Sequence, residues 1–472
     1  MARVDTLYFM GSVSITFLGA TETVTGSRFL ISTENHRILV DAGLYQGSKT
    51  TEAKNWEPFP VDPRTIDAVV LTHAHLDHSG YLPLLAKQGF TGKIHATYFT
   101  EKLAAVVLHD SAFLQGEDAR AAKKRGNSIH KDPKALYDDE DVKQVISQFS
   151  TAEYRLRILI APDIFVTFFP SGHILGSAFI IVEADGKKFL FTSDMGRPTH
   201  PILVSPDLPP SNHFDVVLTE STYGDRVHEI ATNLFADEIN AALSRGGSIL
   251  IPAFAVDRTE VILIALKQLI DAGSIRPVSI YVDSPMALTS LNYYREALRM
   301  ESIEVRKDFI AAYHNQDPFD PGSLYEMQTV EESKSLNDLE KPGIIISASG
   351  MASGGRVVHH LANMLPEEKN TVMLVGFQAT GSRGRALAQG AKEIRIHGNY
   401  VPVRAKIVQV EIFSVHADSD ELVQWLKNIS TPTKVFVVHG EPDASATFAI
   451  RLTDELGWNA STAFPGQSYQ LP

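Results

Sequence analysis

The sequence LTHAHLDHSG, residues 71–80, contains three histidines and one aspartate within six consecutive positions. His73 and His75 are two residues apart, so in an extended backbone their side chains leave on the same face. Asp77 and His78 are adjacent and diverge in direction, which lets the motif supply ligands to two neighbouring ions. Imidazole and carboxylate groups in this pattern favour a zinc site over ordinary polar residues at a strand end.

Further ligand-type residues follow other predicted strands. They are His173 after the strand 164–169, Asp194 after 188–192, and His439 after 434–438. A glycine lies close to each of them, which indicates tightly packed backbone near a common site. The carboxylate of Asp194 is suited to bridge two metal ions. Because the chain has no cysteine, a transition metal must bind through His, Asp or Glu.

The composition is that of a globular protein. The chain has 472 residues, of which 44% are hydrophobic and 21% charged, and this length favours two domains. No apolar run reaches the roughly 20 residues of a membrane helix, and the first residues lack the features of a signal peptide. We therefore expect a cytoplasmic protein with no membrane contact. The net charge of −13 argues against indiscriminate nucleic-acid binding but allows a local phosphate site.

The pattern of predicted elements changes along the chain. The first part reads as short strands with a few helices, whereas units of strand, loop and helix follow from about Gly246, beginning with GGSILIPAFAVDRTEVILIALKQLI. Such alternation predicts a parallel, Rossmann-like sheet. Short strands return near Ile407, so the end of the chain is expected to rejoin the first domain. The predicted domains are residues 1–215, an insertion over 216–405, and a returning part over 406–472.

The motifs resemble those of a known family. HAHLDH, GHILGS and SDMG are similar to the motifs of the metallo-β-lactamase fold. The segment from Glu220 to His228, FSVHAD with His416, and VVHGE with His439 resemble the three further motifs of the β-CASP branch. That branch includes the endonuclease that processes eukaryotic pre-mRNA 3′ ends, and bacterial ribonucleases. The resemblance covers essentially the whole chain and implies an α/β (α+β) fold, in which a four-layer αββα domain is interrupted by a Rossmann-like β-CASP domain.

The resemblance also implies two Zn²⁺ ions per chain. The first would bind His73, His75, His173 and Asp194. The second would bind Asp77, His78, Asp194 and His439. We expect Asp41, in LVDAG, to support a ligand from behind rather than to bind metal itself.

The same resemblance predicts a two-metal hydrolysis that leaves a 5′-phosphate and a 3′-hydroxyl. Asp77 would orient or deprotonate the attacking water, and His416 would protonate the leaving oxygen with Glu220 beside it. Two simpler roles stay open at this point. His416 could instead cap the helix that starts near Asp420, and Glu220 could be a buried structural carboxylate.

Glycine-rich segments in the insertion are candidates for phosphate binding, because helix N-termini offer free N–H groups. SASGMASGGR and ATGSRGR predict contacts from Ser349, Gly350, Ser382 and Arg383, although tight turns of the sheet would account for the glycines equally simply. The basic segment 122–134 is either a solvated loop or a flap beside a polyanion channel.

Three residues depart from the family pattern. Val415 stands where relatives usually have a small residue before His416, and this could alter the local geometry. Ser193 stands where relatives often have glycine before the bridging aspartate, and this could alter the local geometry. Asp257 stands at a common glycine position in AVDRT. It would add negative charge near a phosphate path and so affect substrate preference.

The predicted activity is therefore that of a metal-dependent ribonuclease acting on single-stranded RNA, as an endonuclease or a 5′–3′ exonuclease. A DNA nuclease, a small-molecule hydrolase and an inactive scaffold are the alternatives. Relatives specialised for DNA tend to lack the histidine found here at 439, so the resemblance implies RNA rather than DNA. The size of the insertion argues against a small-molecule hydrolase, and the complete set of ligands argues against an inactive scaffold. The sequence allows a homodimer without deciding the oligomeric state.

Overall fold

The computed structural model describes residues 13–125, 133–228 and 233–471. In chain order, its strands are β1 (Ser14–Phe17), β2 (Phe29–Ser32), β3 (Arg37–Val40), β4 (Ala68–Val70), β5 (Lys93–Thr97), β6 (Phe149–Ala152), β7 (Ile158–Ala161), β8 (Ile164–Pro170), β9 (Ala178–Ala184), β10 (Lys187–Phe191), β11 (Val216–Thr219), β12 (Ile249–Pro252), β13 (Ile280–Val282), β14 (Leu324–Glu326), β15 (Ile344–Ser347), β16 (Thr371–Leu374), β17 (Glu393–Ile396), β18 (Asn399–Pro402), β19 (Lys406–Gln409), β20 (Lys434–Val437), β21 (Ala460–Thr462) and β22 (Ser468–Gln470).

The helices are α1 (Lys49–Ala53), α2 (Leu76–Ser79), α3 (Leu82–Lys87), α4 (Tyr98–Arg125), α5 (Asp139–Ile146), α6 (Leu234–Ser244), α7 (Arg258–Asp271), α8 (Pro285–Arg299), α9 (Lys307–Ala312), α10 (Val330–Ser335), α11 (Arg356–Met364), α12 (Arg383–Ala388), α13 (Ser419–Leu426) and α14 (Pro442–Leu456). Within the described ranges, every helix is too short or too polar to cross a bilayer. Most of the basic segment predicted as a loop or flap, residues 126–132, lies outside the described residues.

Two seven-stranded sheets pack face to face. Their strand orders are β22-β1-β2-β3-β4-β5-β6 and β21-β20-β11-β10-β9-β8-β7. Strand β8 shows why they pair, because its residues alternate between buried and half-buried and place Val166 and Phe168 in the core between the sheets. Alternation of this kind gives each strand one apolar face, and the two apolar faces bury each other.

Helices cover the outer faces of both sheets. Buried residues of α3, α4 and α5 pack on the first sheet, and residues of α13 and α14 such as Leu422 and Phe448 pack on the second. The layers are therefore helix, sheet, sheet and helix. This arrangement confirms the four-layer architecture expected from the sequence.

A third sheet has six strands in the order β14-β13-β15-β12-β16-β19, and all of its pairs are parallel. Its central strands β12 and β15 are buried along their whole length, because α7 and α11 cover opposite faces. Such strands need continuous apolar sequence, as in ILIP and IIIS. The Rossmann-like sheet predicted from the repeated strand, loop and helix pattern is thus confirmed.

Two strands pair with the domain on the other side of the boundary that the sequence predicts. The sequence places residue 216 in the insertion, but β11 pairs with β10 and β20 in the second sheet. The sequence places residue 406 after the insertion, but β19 pairs with β16 in the third sheet. We therefore propose that the inserted domain begins after Thr219 and ends after Gln409.

The strands that precede the ligand-type residues end at one side of the paired sheets. β3 and β4 are parallel, and so are β10, β11 and β20. β8 and β10 are both antiparallel to β9 and therefore run in the same direction. This common direction collects the loops that begin near residues 41, 71, 171, 192, 220 and 438 at one edge.

Candidate metal centre

The first group of converging atoms combines three imidazoles and one carboxylate. His75 Nδ1 lies 3.2 Å from both His73 Nε2 and His173 Nε2. Asp194 Oδ2 lies 3.4 Å from His73 Nε2 and 3.6 Å from His173 Nε2. Three loops, which follow β4, β8 and β10, thus bring four predicted ligands together.

The second group lies on the other side of the same carboxylate. His78 Nε2 lies 3.2 Å from His439 Nε2, which is 3.4 Å from Asp77 Oδ2. Asp194 Oδ1 is 3.4 Å from His78 Nε2 and 3.4 Å from His439 Nδ1. Each oxygen of Asp194 therefore faces a different group, which is the arrangement that a bridging ligand requires.

The donor atoms fit metal ions. Asp194 Oδ1, which faces the second group, is buried and has no hydrogen-bond partner. The converging nitrogens of His75 and His173 face only other imidazoles and the Asp194 carboxylate. Burial lowers the pKa of His75 to about 4 and the pKa of His73 and His173 well below the usual value. Neutral imidazoles present lone pairs, and lone pairs that face one another need a cation between them. Imidazole and carboxylate donors without a thiolate suit zinc.

Asp41 holds His78 from behind. Its Oδ2 lies 2.7 Å from His78 Nδ1, and its two oxygens accept hydrogen bonds from the N–H and hydroxyl of Thr72 at 2.8 and 2.9 Å. An Nδ1 proton shared with Asp41 leaves the Nε2 lone pair free for the second group. Burial lowers the pKa of His78, but Asp194 and Asp41 outweigh it and raise that pKa, so the pocket favours positive charge.

Glu220 and His416 form a pair beside the first group. His416 Nδ1 lies 3.2 Å from Glu220 Oε2, and the Met195 N–H fixes the other carboxylate oxygen at 2.6 Å. The His416 ring centre is 4.4 Å from that of His173. The side chain of Glu220 is 1% exposed and that of His416 is 16% exposed, so His416 is the partner that solvent or substrate reaches.

The helix-capping role considered for His416 is wrong. Asp418 caps α13 and accepts from the N–H groups of Asp420 at 3.0 Å and Glu421 at 2.9 Å. The backbone of His416 instead pairs with Gly196, next to the Asp194 loop. Its imidazole is therefore free of a role at the helix end.

The predicted RNA contacts lie together at the end of the inserted sheet. Gly350 packs against the ring of Phe254, whose centre is 6.1 Å from that of His75. Ser382 Oγ caps α12 by accepting from the Arg385 N–H at 3.1 Å. Arg383 donates to the carbonyl oxygens of Arg395 at 3.1 Å and Ser353 at 2.7 Å, so its guanidinium holds the neighbouring turns. Ser349, the fourth predicted contact, is partly exposed at the start of this glycine-rich loop.

The structure shows the surroundings of all three departures from the family pattern. Val415 is buried in the apolar core. Ser193 has a φ of +49°, which is why glycine is common there, and its hydroxyl donates to Thr72 at 2.6 Å. The expectation that Asp257 lies beside a phosphate path is wrong. Asp257 is 0% exposed and is paired with Tyr294 and His200, so it meets no substrate.

Four other residues near the site were not predicted to be functional, and only two of them have a signal in the sequence. Thr72 and Thr222 adjoin the motifs, and Thr222 Oγ1 lies 3.1 Å from His439 Nδ1. Their positions within the motifs were a usable signal. Tyr294 and Glu304 contact the His173 loop from the insertion, and no motif marks either one.

Comparisons with known protein families match three regions of the chain. Family profiles match residues 24–226 (Metallo-beta-lactamase superfamily), 259–387 (Beta-Casp domain) and 400–463 (Zn-dependent metallo-hydrolase RNA specificity domain). A crystal structure of a protein of unknown function from Enterococcus faecalis aligns with a TM-score of 0.53 and 14% identity, covering 98% of this chain and 100% of that one. That likeness supports the fold alone.

Three relatives align along most of this chain. "Ribonuclease TTHA0252" of Thermus thermophilus is 35% identical over 428 residues, 90% of this chain and 92% of the relative. "RNase J-like protein" of Methanocaldococcus jannaschii is 32% identical over 93% of this chain and 95% of its own length. "Transcription termination factor FttA" of the same organism is 28% identical over 93% of this chain and 68% of its own length.

Proposed function

This chain belongs to the β-CASP family of metallo-β-lactamase-fold hydrolases, and we infer from that membership and from its site that it is a zinc-dependent ribonuclease. The observation that carries the inference is the position of Asp194, whose two oxygens face two separate sets of ligands. The proposed substrate is single-stranded RNA in the cytoplasm. The proposed products carry a 5′-phosphate and a 3′-hydroxyl.

The proposed cofactors are two Zn²⁺ ions. The first would be held by His73, His75, His173 and Asp194, and the second by Asp77, His78, Asp194 and His439. When bound, they would stabilise the developing charge on the phosphate and lower the pKa of the attacking water.

The protein's own groups divide the proton transfers. Asp77 is proposed to orient the attacking water, because its carboxylate reaches the second group from the start of α2. His416 is proposed to protonate the leaving oxygen through Nε2, since Nδ1 faces Glu220. Glu220 fixes the ring plane of His416, while the Met195 N–H holds the carboxylate in place.

We propose RNA rather than DNA as the substrate for two reasons. Two of the aligned relatives carry ribonuclease names, and the profile matched at residues 400–463 is described by RNA specificity. We keep Ser349, Gly350, Ser382 and Arg383 as proposed contacts. The hydrogen bonds of Ser382 and Arg383 indicate that they hold the glycine-rich turns in place, so backbone N–H groups would meet the phosphates.

A cleavage assay with zinc-loaded protein tests this function. The substrates are 5′-labelled single-stranded RNA and DNA of the same sequence, together with a simple thioester. We expect RNA to be cut. We also expect His416→Ala to keep both zinc ions but to cleave at least 100-fold more slowly, because general acid catalysis accelerates a reaction roughly 10²- to 10⁴-fold. His213→Ala is the control, since His213 hydrogen-bonds on the surface to Thr431.

Each other outcome has a definite meaning. Cleavage of DNA but not RNA would assign the chain to the DNA nucleases, and hydrolysis of the thioester alone would make it a small-molecule hydrolase. Loss of zinc in His416→Ala would show that His416 is a ligand instead of the acid. Protein that binds no zinc would refute the proposal.

A further inference from the structure

Two residues of the inserted domain hold the loop that carries His173. The Leu175 N–H donates to the hydroxyl oxygen of Tyr294 at 3.1 Å. The next N–H, of Gly176, donates to a carboxylate oxygen of Glu304. These two amides lie two and three residues beyond His173, so the inserted domain fixes the backbone of a proposed ligand loop.

Asp257 fixes the hydroxyl group of Tyr294. That hydroxyl lies 2.7 Å from Asp257 Oδ1, and it donates its single proton there because the Leu175 N–H occupies its acceptor side. Tyr294 is 1% exposed and Asp257 is 0% exposed, so neither group can replace this partner with water. The tyrosine therefore has one defined position and one defined role toward the loop.

The other oxygen of Asp257 reaches the segment that follows Asp194. His200 Nδ1 accepts from the N–H groups of Ile202 at 3.1 Å and Leu203 at 2.9 Å, so the proton of this ring is on Nε2. That Nε2 lies 3.1 Å from Asp257 Oδ2 and donates to it. One buried carboxylate thus joins the loop of His173, through Tyr294, to the segment after Asp194.

Backbone hydrogen bonds also join the two domains near these residues, between segments 202–204 and 304–306. Leu203 and Val305 form a bridge between the two domains. The Val204 N–H donates to the Glu304 carbonyl at 2.9 Å, and the Arg306 N–H donates to the Ile202 carbonyl at 3.0 Å. The interface is therefore defined by backbone hydrogen bonds, and its central residues Leu203, Glu304 and Val305 are buried.

We propose that Asp257, Tyr294 and His200 are positioning residues, through which the inserted domain sets the distance between His173 and Asp194 in the first metal group. None of the three belongs to either group of converging atoms. The inference rests on the proposed function in one respect, namely that these groups bind zinc. The inserted domain would then have a second role besides contacting RNA, because the geometry of the ligand loops depends on that domain.

Zinc titration of metal-free Tyr294→Phe against a competing chelator tests the proposal. The variant removes one hydroxyl and leaves the Leu175 N–H buried without an acceptor. We expect the first group to bind zinc about tenfold more weakly, as loss of a supporting contact typically does, while the second group is unchanged. We also expect kcat on RNA to fall with little change in KM. Asp257→Asn, which cannot accept from both partners, should show the same selective loss.

Tyr137→Phe is the matched control, because Tyr137 is 1% exposed and its hydroxyl donates to Ser111 at 2.8 Å on α4. It should lower the unfolding midpoint as much as Tyr294→Phe without changing zinc affinity. Zinc affinities of Tyr294→Phe and Asp257→Asn equal to the wild type would overturn the proposal and leave the ribonuclease function untouched. Selective zinc loss in a protein that does not cut RNA would support the positioning role and refute the ribonuclease.

Discussion

Glu304 is a buried carboxyl group whose ionisation should lower the stability of the folded chain. Burial raises its pKa to about 7, against 4.5 for an unperturbed glutamate. Between these pH values the folded chain holds more protons than the unfolded chain, so its stability falls as pH rises. A shift of this size corresponds to about 3 kcal/mol above pH 7. Glu304→Gln keeps an acceptor for the Gly176 N–H and removes this cost.

The prediction for Glu304→Gln is a difference in unfolding midpoint that depends on pH. The variant should gain stability relative to the wild type from pH 5 to pH 8. Thermal unfolding of both proteins measures this difference. Measurements with saturating zinc and after chelation separate the effect of Glu304 ionisation from that of pH-dependent metal binding. A difference that stays constant over this range would mean that Glu304 is already ionised at pH 5 in the folded chain.

Single residues differ in how far the sequence could predict them. His73 and His78 were predictable because four ligand-type residues rarely fall within six positions outside metal sites, and the structure brings them into the two groups. Asp257 was misread because it stands at a position where relatives commonly have glycine, which suggested a place near a phosphate path. Its actual partners, Tyr294 and His200, are 37 and 57 residues away in the sequence. No local sequence pattern predicts a buried contact between residues so far apart.

Gly196 lets the loops of Asp194 and His173 approach each other. A Cβ added at Gly196 would lie 2.0 Å from the Gly172 carbonyl oxygen and 2.6 Å from the His173 nitrogen. Because these are backbone atoms, they cannot rotate away. We expect Gly196→Ala to lose about 1–3 kcal/mol of stability through overpacking and to weaken zinc binding at the first group. Gly116→Ala on α4, where an added Cβ would meet only the end of the Arg120 side chain at 4.0 Å, is the control and should be neutral or slightly stabilising. Unchanged zinc content in Gly196→Ala would contradict the prediction.

Secondary-structure elements were predictable where one periodicity dominates. The alternation in β8 and the continuous apolar runs of β12 and β15 each report how many faces of a strand are covered. Domain boundaries were less predictable. β11 and β19 have only four residues each, and only their pairing shows which sheet they join.

At the scale of the whole molecule, the proposed ligands come from both sides of the inserted domain. His78 precedes the insertion and His439 follows it, yet their Nε2 atoms are 3.2 Å apart. β20 carries His439 back into the second sheet, beside β11. A metal ion in the second group would therefore connect the returning part of the chain to the first part. The sequence could predict this return from the short strands after residue 407, but not which loops it would contact.

Removal of zinc should consequently destabilise the molecule as a whole and loosen its C-terminal part. Each proposed ion would stabilise the fold by about 4 kcal/mol when free zinc exceeds its dissociation constant roughly 1,000-fold. We expect a chelator to lower the unfolding midpoint and to speed amide exchange around residues 437–440, with both effects reversed by added zinc. His439→Ala should lose one of the two ions and part of this stabilisation, whereas His314→Ala, an exposed histidine, should lose neither. If metal analysis shows complete removal of zinc while the midpoint and the exchange stay the same, the ions do not connect the two parts of the chain. The connection would then rest on the pairing of β20 with β11 alone, since that pairing needs no metal.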